Sequence, residues 1–311
     1  MRDAREALLD RIGRLPPPVP GGPPRVTRRL QLGDVALEGW MIEGPRGDIP
    51  AWFLSRDGDA RPRPALLALH PHGRQFELAK SMVAGLAGEP SRAYGLAAAR
   101  AGFAVLVPDL PGFEERRPPL LERKRNHALQ GEAYERLLAM NALVQGSTLQ
   151  AWILADLSAC LGAMERDPRV EAARIGAIGQ SFGGQETILG MLFDPRIKAG
   201  VSSCGFSLVR LFVERSISHN MALYLPGMLP GLDFDAILPA LAPRPLMVIA
   251  GREDPICPIE GVESALAAAR AAYGRLGASA SLREHIVEGG HDLPPGALRE
   301  ALDWIGSVLG G

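Results

Sequence analysis

Arg174-Ile175-Gly176-Ala177-Ile178-Gly179-Gln180-Ser181-Phe182-Gly183 is the stretch that decides how this chain folds. A mostly apolar run leads into G-x-S-x-G, and a helical run from Gln185 to Phe193 follows it. Strand, sharp turn and helix in that order make a nucleophile elbow, which presents a serine hydroxyl at the top of a sheet. The glycines have a steric reason. So tight a turn brings the backbone against neighbouring strand and helix, and the flanking positions tolerate little beyond hydrogen. Ser181 is therefore the candidate nucleophile. G-x-S-x-G alone also fits a glycine-rich loop, and the flanking strand and helix are what favour the elbow.

A nucleophilic serine needs a base to take its proton and a carboxylate to orient that base. In a sheet with such an elbow the partners follow in the order serine, acid, histidine. Leu246-Met247-Val248-Ile249-Ala250 reads as a buried strand ending in Gly251-Arg252-Glu253-Asp254-Pro255. Asp254 is the candidate acid, its loop stiffened by the following proline, with Glu253 the neighbouring alternative. A further strand, Ser281 to Val287, leads into Glu288-Gly289-Gly290-His291. His291 is the candidate base. His285 falls inside that strand and reads as structural, while His127 lies in an arginine-rich polar segment and reads as solvated.

Acyl transfer also requires donors aimed at the developing oxyanion. The residue after the nucleophile supplies one, the backbone N–H of Phe182. The apolar run Ala65 to Leu69 ends in His70-Pro71-His72-Gly73-Arg74, and its loop offers the second donor, the N–H of His72, with Gly73 as fallback. His70 reads as a loop-shaping side chain. A rival assignment makes His72 the base, but His72 precedes the serine and would leave His291 without a purpose.

These residues together resemble the α/β-hydrolases, and more narrowly the dienelactone-hydrolase and acetyl-xylan-esterase-like branch. The resemblance rests on His70 to Arg74, Val107-Pro108-Asp109-Leu110-Pro111-Gly112-Phe113-Glu114-Glu115-Arg116, the elbow, Ala242 to Leu246, Gly251 to Pro258 and Gly290-His291, and runs from about residue 26 to the C-terminus. It implies hydrolysis of carboxylic esters, often of short acyl groups such as acetyl, through a serine acyl-enzyme without a cofactor or metal. Two departures stand out. Pro71 replaces a glycine common in the family, and Ser181 stands where dienelactone hydrolases proper use cysteine, which argues against that specific activity.

Composition agrees with this reading. A chain of 311 residues can bury a sizeable core, and one α/β domain with insertions fits its length. A net charge of -1 gives no electrostatic reason to bind nucleic acid or an anionic membrane. Lys80, Lys124 and Lys198 are the lysines among a basic set that is otherwise arginine, read as compositional bias. Cys160, Cys204 and Cys257 have no metal-ligand spacing and read as buried thiols of a reducing compartment. No apolar signal core opens the chain and no run approaches a membrane span, so a cytoplasmic location is expected. No phosphate loop, zinc signature or dinucleotide fingerprint is present.

Residues 1–25 divide into an amphipathic helix, Ala4 to Ile12, and a proline-rich linker, Leu15 to Pro24, an arm expected to pack on the domain or to join a homo-oligomer. Residues 26–311 form the hydrolase domain. Three antiparallel edge strands, Val26 to Leu32, Val35 to Ile42 and Ile49 to Leu54, precede repeated strand–helix alternation, which predicts a mainly parallel sheet with helices on both faces. The expected helices are Ser91 to Ala101, Thr148 to Glu165, Gln185 to Phe193, Ile259 to Leu276 and Pro295 to Leu309. All the candidate catalytic residues then fall at the C-terminal ends of strands, where such folds bind ligands.

Residues 113–146 and 206–238 break the alternation and are expected to cover the site. The first carries a helical run, Glu132 to Val144. In the second, Tyr224, Leu225, Pro226, Met228, Leu229 and Pro230 form an apolar, proline-interrupted surface, and Phe206, His219 and Tyr224 are the candidates for substrate contact; Met221, Met228 and Phe206 fit core or pocket equally. The expectation from sequence is thus a serine-dependent esterase acting on a small-molecule, short-chain ester. Its rivals are a serine peptidase, a thioesterase or acyltransferase on the same fold, and a catalytically silent binding protein.

Overall fold

Alternating side chains decide the two faces of the sheet. The computed structural model describes residues 3–19, 21–58, 61–229 and 231–310; Pro20 of the linker and Pro230 of the apolar segment lie outside them. β1 (Arg25–Leu32), β2 (Val35–Ile42) and β3 (Ile49–Arg56) form an antiparallel meander at one edge. β4 (Arg63–Leu69), β5 (Ala104–Pro108), β6 (Val170–Gln180), β7 (Ile197–Ser203), β8 (Leu246–Gly251) and β9 (Leu282–Val287) run parallel, and β3 joins them antiparallel to β5. The order is β1-β2-β3-β5-β4-β6-β7-β8-β9. Exposed throughout most of its length, β1 carries Arg25, Arg28 and Arg29, charges that discourage further strand pairing at that edge.

On β4, Ala65, Leu67 and Leu69 point into one apolar layer and Leu66 and Ala68 into the other; on β5, Ala104 and Leu106 oppose Val105 and Val107 in the same way. Strands buried on both faces need such unbroken apolar runs, which is why they were readable as strands. One layer is covered by α1 (Ala4–Ile12), α6 (Leu149–Arg166), α7 (Phe182–Phe193), α9 (Phe234–Ile237) and α10 (Ile259–Arg275). The other is covered by α2 (Ala79–Val83), α3 (Tyr94–Arg100) and α11 (Pro295–Gly310). α4 (Leu120–Arg125) and α5 (Gly131–Val144) belong to the first insertion and α8 (Val209–Arg215) to the second.

Several boundaries differ from the sequence expectation. β6 begins at Val170 and α7 begins at Phe182, directly after Ser181. The helix expected over Ser91 to Ala101 is divided at Ala93, where a single turn, Pro90–Arg92, gives way to α3. The short helices α2, α4 and α8 were not anticipated, because so few residues show no period. The arm lies on its own domain: Leu8 and Ile12 are fully buried, the Thr148 hydroxyl donates to the Ile12 carbonyl at 2.9 Å, and the Ser147 hydroxyl donates to that of Arg14 at 2.7 Å. Thr148 also caps α6 by accepting from the Ala151 N–H at 3.1 Å.

The strand order reverses direction around β4, with β5 on one side and β6 on the other. Ligands bind at such switch points, beyond the C-terminal strand ends. The loop after β4 and the elbow after β6 meet there.

Candidate active site

The elbow is built by close approach. A Cβ at Gly183 would lie 1.8 Å from the Leu69 carbonyl oxygen, and one at Gly179 would lie 2.2 Å from the Gly183 backbone, so neither position admits a side chain. Between them Ser181 is held at φ 56°, ψ −119°, a conformation side chains rarely adopt. Its N–H donates to the Ser203 carbonyl at 2.8 Å, which ties the turn to the end of β7. Phe182 opens α7, and its N–H finds no acceptor among the described residues. A helix start leaves such donors free and places a partial positive charge there.

The loops after β8 and β9 bring the two remaining groups to the serine. A Cβ at Gly251 would lie 2.0 Å from the Gly290 carbonyl oxygen, so glycine there lets the loops touch. His291 Nε2 lies 2.7 Å from Ser181 Oγ, and His291 Nδ1 lies 2.7 Å from Asp254 Oδ2. The other Asp254 oxygen accepts from the N–H groups of Ile256 and Cys257, each at 2.9 Å. Burial pushes the Asp254 carboxyl upward, but the His291 ring and these two donors outweigh it and hold the group below the usual carboxylate range. Asp254 is therefore ionised at neutral pH. It fixes a proton on Nδ1 and leaves Nε2 to face the serine. Glu253, the alternative acid, makes no such contact; its N–H donates to the Gly289 carbonyl.

Cys204, expected as a buried thiol, is buried and stands beside this pair, a position the sequence did not indicate. Held at φ 47° after β7, it donates its thiol to the Asp292 carbonyl at 3.5 Å, bracing the loop that carries His291. Burial, with Asp254 nearby, pushes the thiol up to about 12, so it stays protonated. Gln180 braces the same loop by donating to the His291 carbonyl at 3.3 Å.

The loop after β4 is held by its histidines. His70 is fully buried and accepts from the Leu110 N–H at 3.1 Å through Nε2, so its Nδ1–H donates to the Pro71 carbonyl at 3.0 Å. Burial pushes its basicity down to about 3, and the ring stays neutral, shaping the loop without carrying a proton. His72 accepts from the Arg74 N–H at 3.3 Å through Nδ1, and its Nε2–H donates to Glu135 on α5 at 3.0 Å. The rival reading of His72 as base has no nucleophile to serve in this arrangement. The His72 backbone N–H has no acceptor among the described residues.

A cavity of about 490 Å³ opens over Ser181. His72, Phe182, Cys204 and His291 line it, joined by Glu132, Glu135 and Arg136 from the first insertion and Ser218 to Met221 from the second. His219 thus lies in the cavity wall, where its Nε2–H donates to the Ile256 carbonyl at 2.9 Å, and burial lowers its basicity. Phe206 and Tyr224 do not line it. Phe206 is stacked on Phe234 in the core with ring centroids 5.1 Å apart, and Tyr224 acts at one remove by accepting the His219 N–H at 3.1 Å. Leu225 and Met228 are likewise buried in the core, so the apolarity of that segment reflects packing, and its cavity-facing residues lie a few positions earlier.

Sequence reasoning missed Glu135, Gln185 and Asn220. Glu135 shares the buried face of α5 with Ala139 and Ala142, at helical spacing, and an acid on an apolar stripe is the signal that would have found it. Asn220 donates to Gln185 at 2.9 Å, and Gln185 donates to the buried Glu186 at 3.0 Å. A second cavity, of about 370 Å³, lies between the proline-rich arm and α6, shares no residue with the first and contains no nucleophile–base pair. Two groups of ligand-type atoms lie within 4.8 Å of one another among the described residues. In Cys204, Asp254 and His291 the acid and imidazole are committed to each other. In Asp109, Glu114 and Glu115 the cation is the protein's own, the buried Lys80 ammonium at 2.7, 2.8 and 2.8 Å.

The family model described as the dienelactone hydrolase family matches residues 85–274. A curated protein of Bacillus subtilis (strain 168), named "Putative hydrolase YtaP", is 27% identical over 245 residues, 78% of this chain and 77% of that one. Among solved structures, a glucuronoyl esterase from Solibacter usitatus superposes with a TM-score of 0.69 at 16% identity, covering 99% of this chain and 92% of that one. Acetyl xylan esterase 1 from Thermoanaerobacterium sp. JW/SL YS485 gives 0.62 at 19% identity, covering 97% and 96%. These structures share the α/β-hydrolase fold with this chain.

Proposed function

Because the chain belongs to the dienelactone hydrolase family and has that family's hydrolase fold, we propose that it is a serine-dependent carboxylic ester hydrolase acting on short-chain acyl esters. One observation carries this reading: the unbroken contact from Ser181 Oγ to His291 Nε2 and from His291 Nδ1 to Asp254, 2.7 Å at each step. As Ser181 Oγ bonds to the ester carbonyl carbon, its proton passes to His291 Nε2 and the carbonyl π electrons move to oxygen. The free N–H groups of Phe182 and His72 are the donors available to that oxyanion. Asp254 stabilises the imidazolium without itself taking the proton. The tetrahedral species collapses, the alcohol leaves with the His291 proton, and the acyl group remains on Ser181. Water then gives a proton to His291 while its oxygen attacks the acyl carbon, and collapse returns the serine and releases the acid.

The short acyl preference is supported by the small side chains near the serine, Cys204, Gly205 and Cys257, and by the acetyl esters named for one structural relative. No step of this chemistry calls for a cofactor. The test is turnover of p-nitrophenyl esters of increasing acyl length by wild type and Ser181→Ala. Acetate to butyrate should be cleaved fastest, and the variant should fall to background. A near wild-type rate in Ser181→Ala would sink the mechanism, and a preference for long acyl chains would sink the substrate class.

A further inference from the structure

We propose that Glu135 is a positioning residue for oxyanion binding, tying the His72 loop to both insertions so that the His72 N–H keeps its place beside Ser181. The proposal rests on the hydrolase reading above and extends it to a residue that touches neither the nucleophile nor the base.

Glu135 is only 4% exposed, so its carboxylate needs partners at both oxygens. It has them. One oxygen lies 3.0 Å from His72 Nε2, and the other accepts the Met221 N–H at 3.0 Å. One carboxylate thus joins the loop after β4, helix α5 of the first insertion and the 221–223 turn of the second. The arrangement also fixes the His72 tautomer. Nδ1 already accepts the Arg74 N–H, so the ring proton sits on Nε2 and points at Glu135. Neither ring nitrogen is then free to exchange a proton with a substrate, which separates a tie from a second proton relay.

The loop has reason to need a tie. Gly73 and Arg74, directly after His72, both have left-handed backbone, at φ 49° and 56°, and a non-glycine residue there is strained. The His72 ring stands edge-on to Phe76, Phe113 and Phe182, with centroids 5.1, 5.3 and 5.9 Å away. Phe182 carries the other candidate oxyanion donor. Holding the His72 ring against the Phe182 ring therefore sets the spacing between the two residues that supply the N–H groups. Small misplacements of such donors are expensive in rate, because they act on charge that develops only in the transition state.

Glu135→Gln tests this with little change of shape. The amide oxygen can still accept from Met221, but its NH₂ then meets the His72 Nε2–H, donor against donor. Moving the His72 proton to Nδ1 relieves that clash only by opposing the Arg74 N–H. With p-nitrophenyl acetate, kcat is expected to fall about tenfold to a hundredfold while KM stays within about twofold, the signature of an interaction made only in the transition state. In a His72→Ala background, Glu135→Gln should lower kcat no further, because the tie acts through the His72 side chain. Two-bond ¹H–¹⁵N spectra of histidine-labelled protein should show His72 as the Nε2–H tautomer in wild type and a changed tautomer or shift in Glu135→Gln. A kcat for Glu135→Gln within about threefold of wild type, additive losses in the double variant, or wild-type His72 protonated on Nδ1 would each overturn the proposal. Loss of ester turnover by wild type itself would instead count against the hydrolase reading, and the tautomer measurement would still decide the tie.

Discussion

Two histidine–carboxylate pairs bring their rings to one cavity, and they differ in what the second ring nitrogen meets. On one wall His291 leans on Asp254 at 2.7 Å and turns Nε2 to a serine hydroxyl 2.7 Å away. On the other, His72 leans on Glu135 at 3.0 Å and gives its remaining nitrogen to a backbone N–H. The first geometry can pass a proton. The second can only hold a shape. A histidine beside a buried acid is thus not enough to mark a base, and the contact of the far nitrogen decides between relay and tie.

The sharpest way to break this comparison is to remove each ring in turn. Ser181→Ala and His291→Ala are expected to lower kcat for p-nitrophenyl acetate by about four to six orders of magnitude. His72→Ala should lose only about one to two orders, since its backbone N–H survives the substitution. Equal losses in the two histidine variants would erase the distinction. Next come the acids. Asp254→Asn should cost about 10⁴ in kcat by disturbing the tautomer that serves the serine, far more than the loss expected for Glu135→Gln. If the two acid variants were equally impaired, the assignment of one wall to proton transfer and the other to positioning would fall.

A third buried carboxyl sharpens the contrast from outside the cavity. Among the described residues Glu186 has only Gln150, at 2.5 Å, and Gln185 as side-chain partners, and burial pushes it up to about 8. Asp254 lies low because a histidine ring and two backbone donors answer its charge, whereas amides alone leave Glu186 protonated at neutral pH. A carboxyl raised in the fold contributes most stability below its unfolded value near 4.5 and loses that contribution as pH rises toward 8, at about 1.4 kcal/mol per pH unit. Glu186→Gln should remove this decline. Urea midpoints from pH 5 to 9 should show wild type losing ground to the variant with rising pH; parallel curves would show that Glu186 is ionised in the fold.

Smaller in kinetic effect, but decisive for the arm, is Leu8→Ala. Leu8 is fully buried where α1 meets the domain, so the substitution should cost about 2–5 kcal/mol in unfolding free energy and leave KM unchanged. An unchanged melting temperature would mean that the arm does not dock on its own domain.

The parallel strands were legible because strands buried on both faces are mostly apolar, as Leu66 to Leu69 and Met247 to Ile249 are, while the buried polar residues Gln180, Ser202 and Ser203 fall at strand ends beside the site. The elbow was legible because Gly179 and Gly183 have no room for a Cβ, a constraint written directly into residue type. The cavity wall was harder. Phe206 fitted core or pocket equally and packing against Phe234 places it in the core, while Tyr224, read as a pocket residue, is occupied by a hydrogen bond from the His219 N–H. Glu135 went unseen for a different reason. The helical stripe shared with Ala139 and Ala142 could mark the acid as buried, but nothing in a local window says that it will meet a histidine 63 positions away. Contacts between insertions depend on how their irregular backbones lie, which period and propensity do not encode.

The most direct measurement is covalent labelling with a fluorophosphonate, followed by intact mass and peptide mapping. The expected result is one adduct per chain, on Ser181, absent from Ser181→Ala and formed far more slowly in His291→Ala. A folded protein that takes no label, or takes it elsewhere than Ser181, would contradict the proposal that this serine, with His291 and Asp254, is the nucleophilic centre.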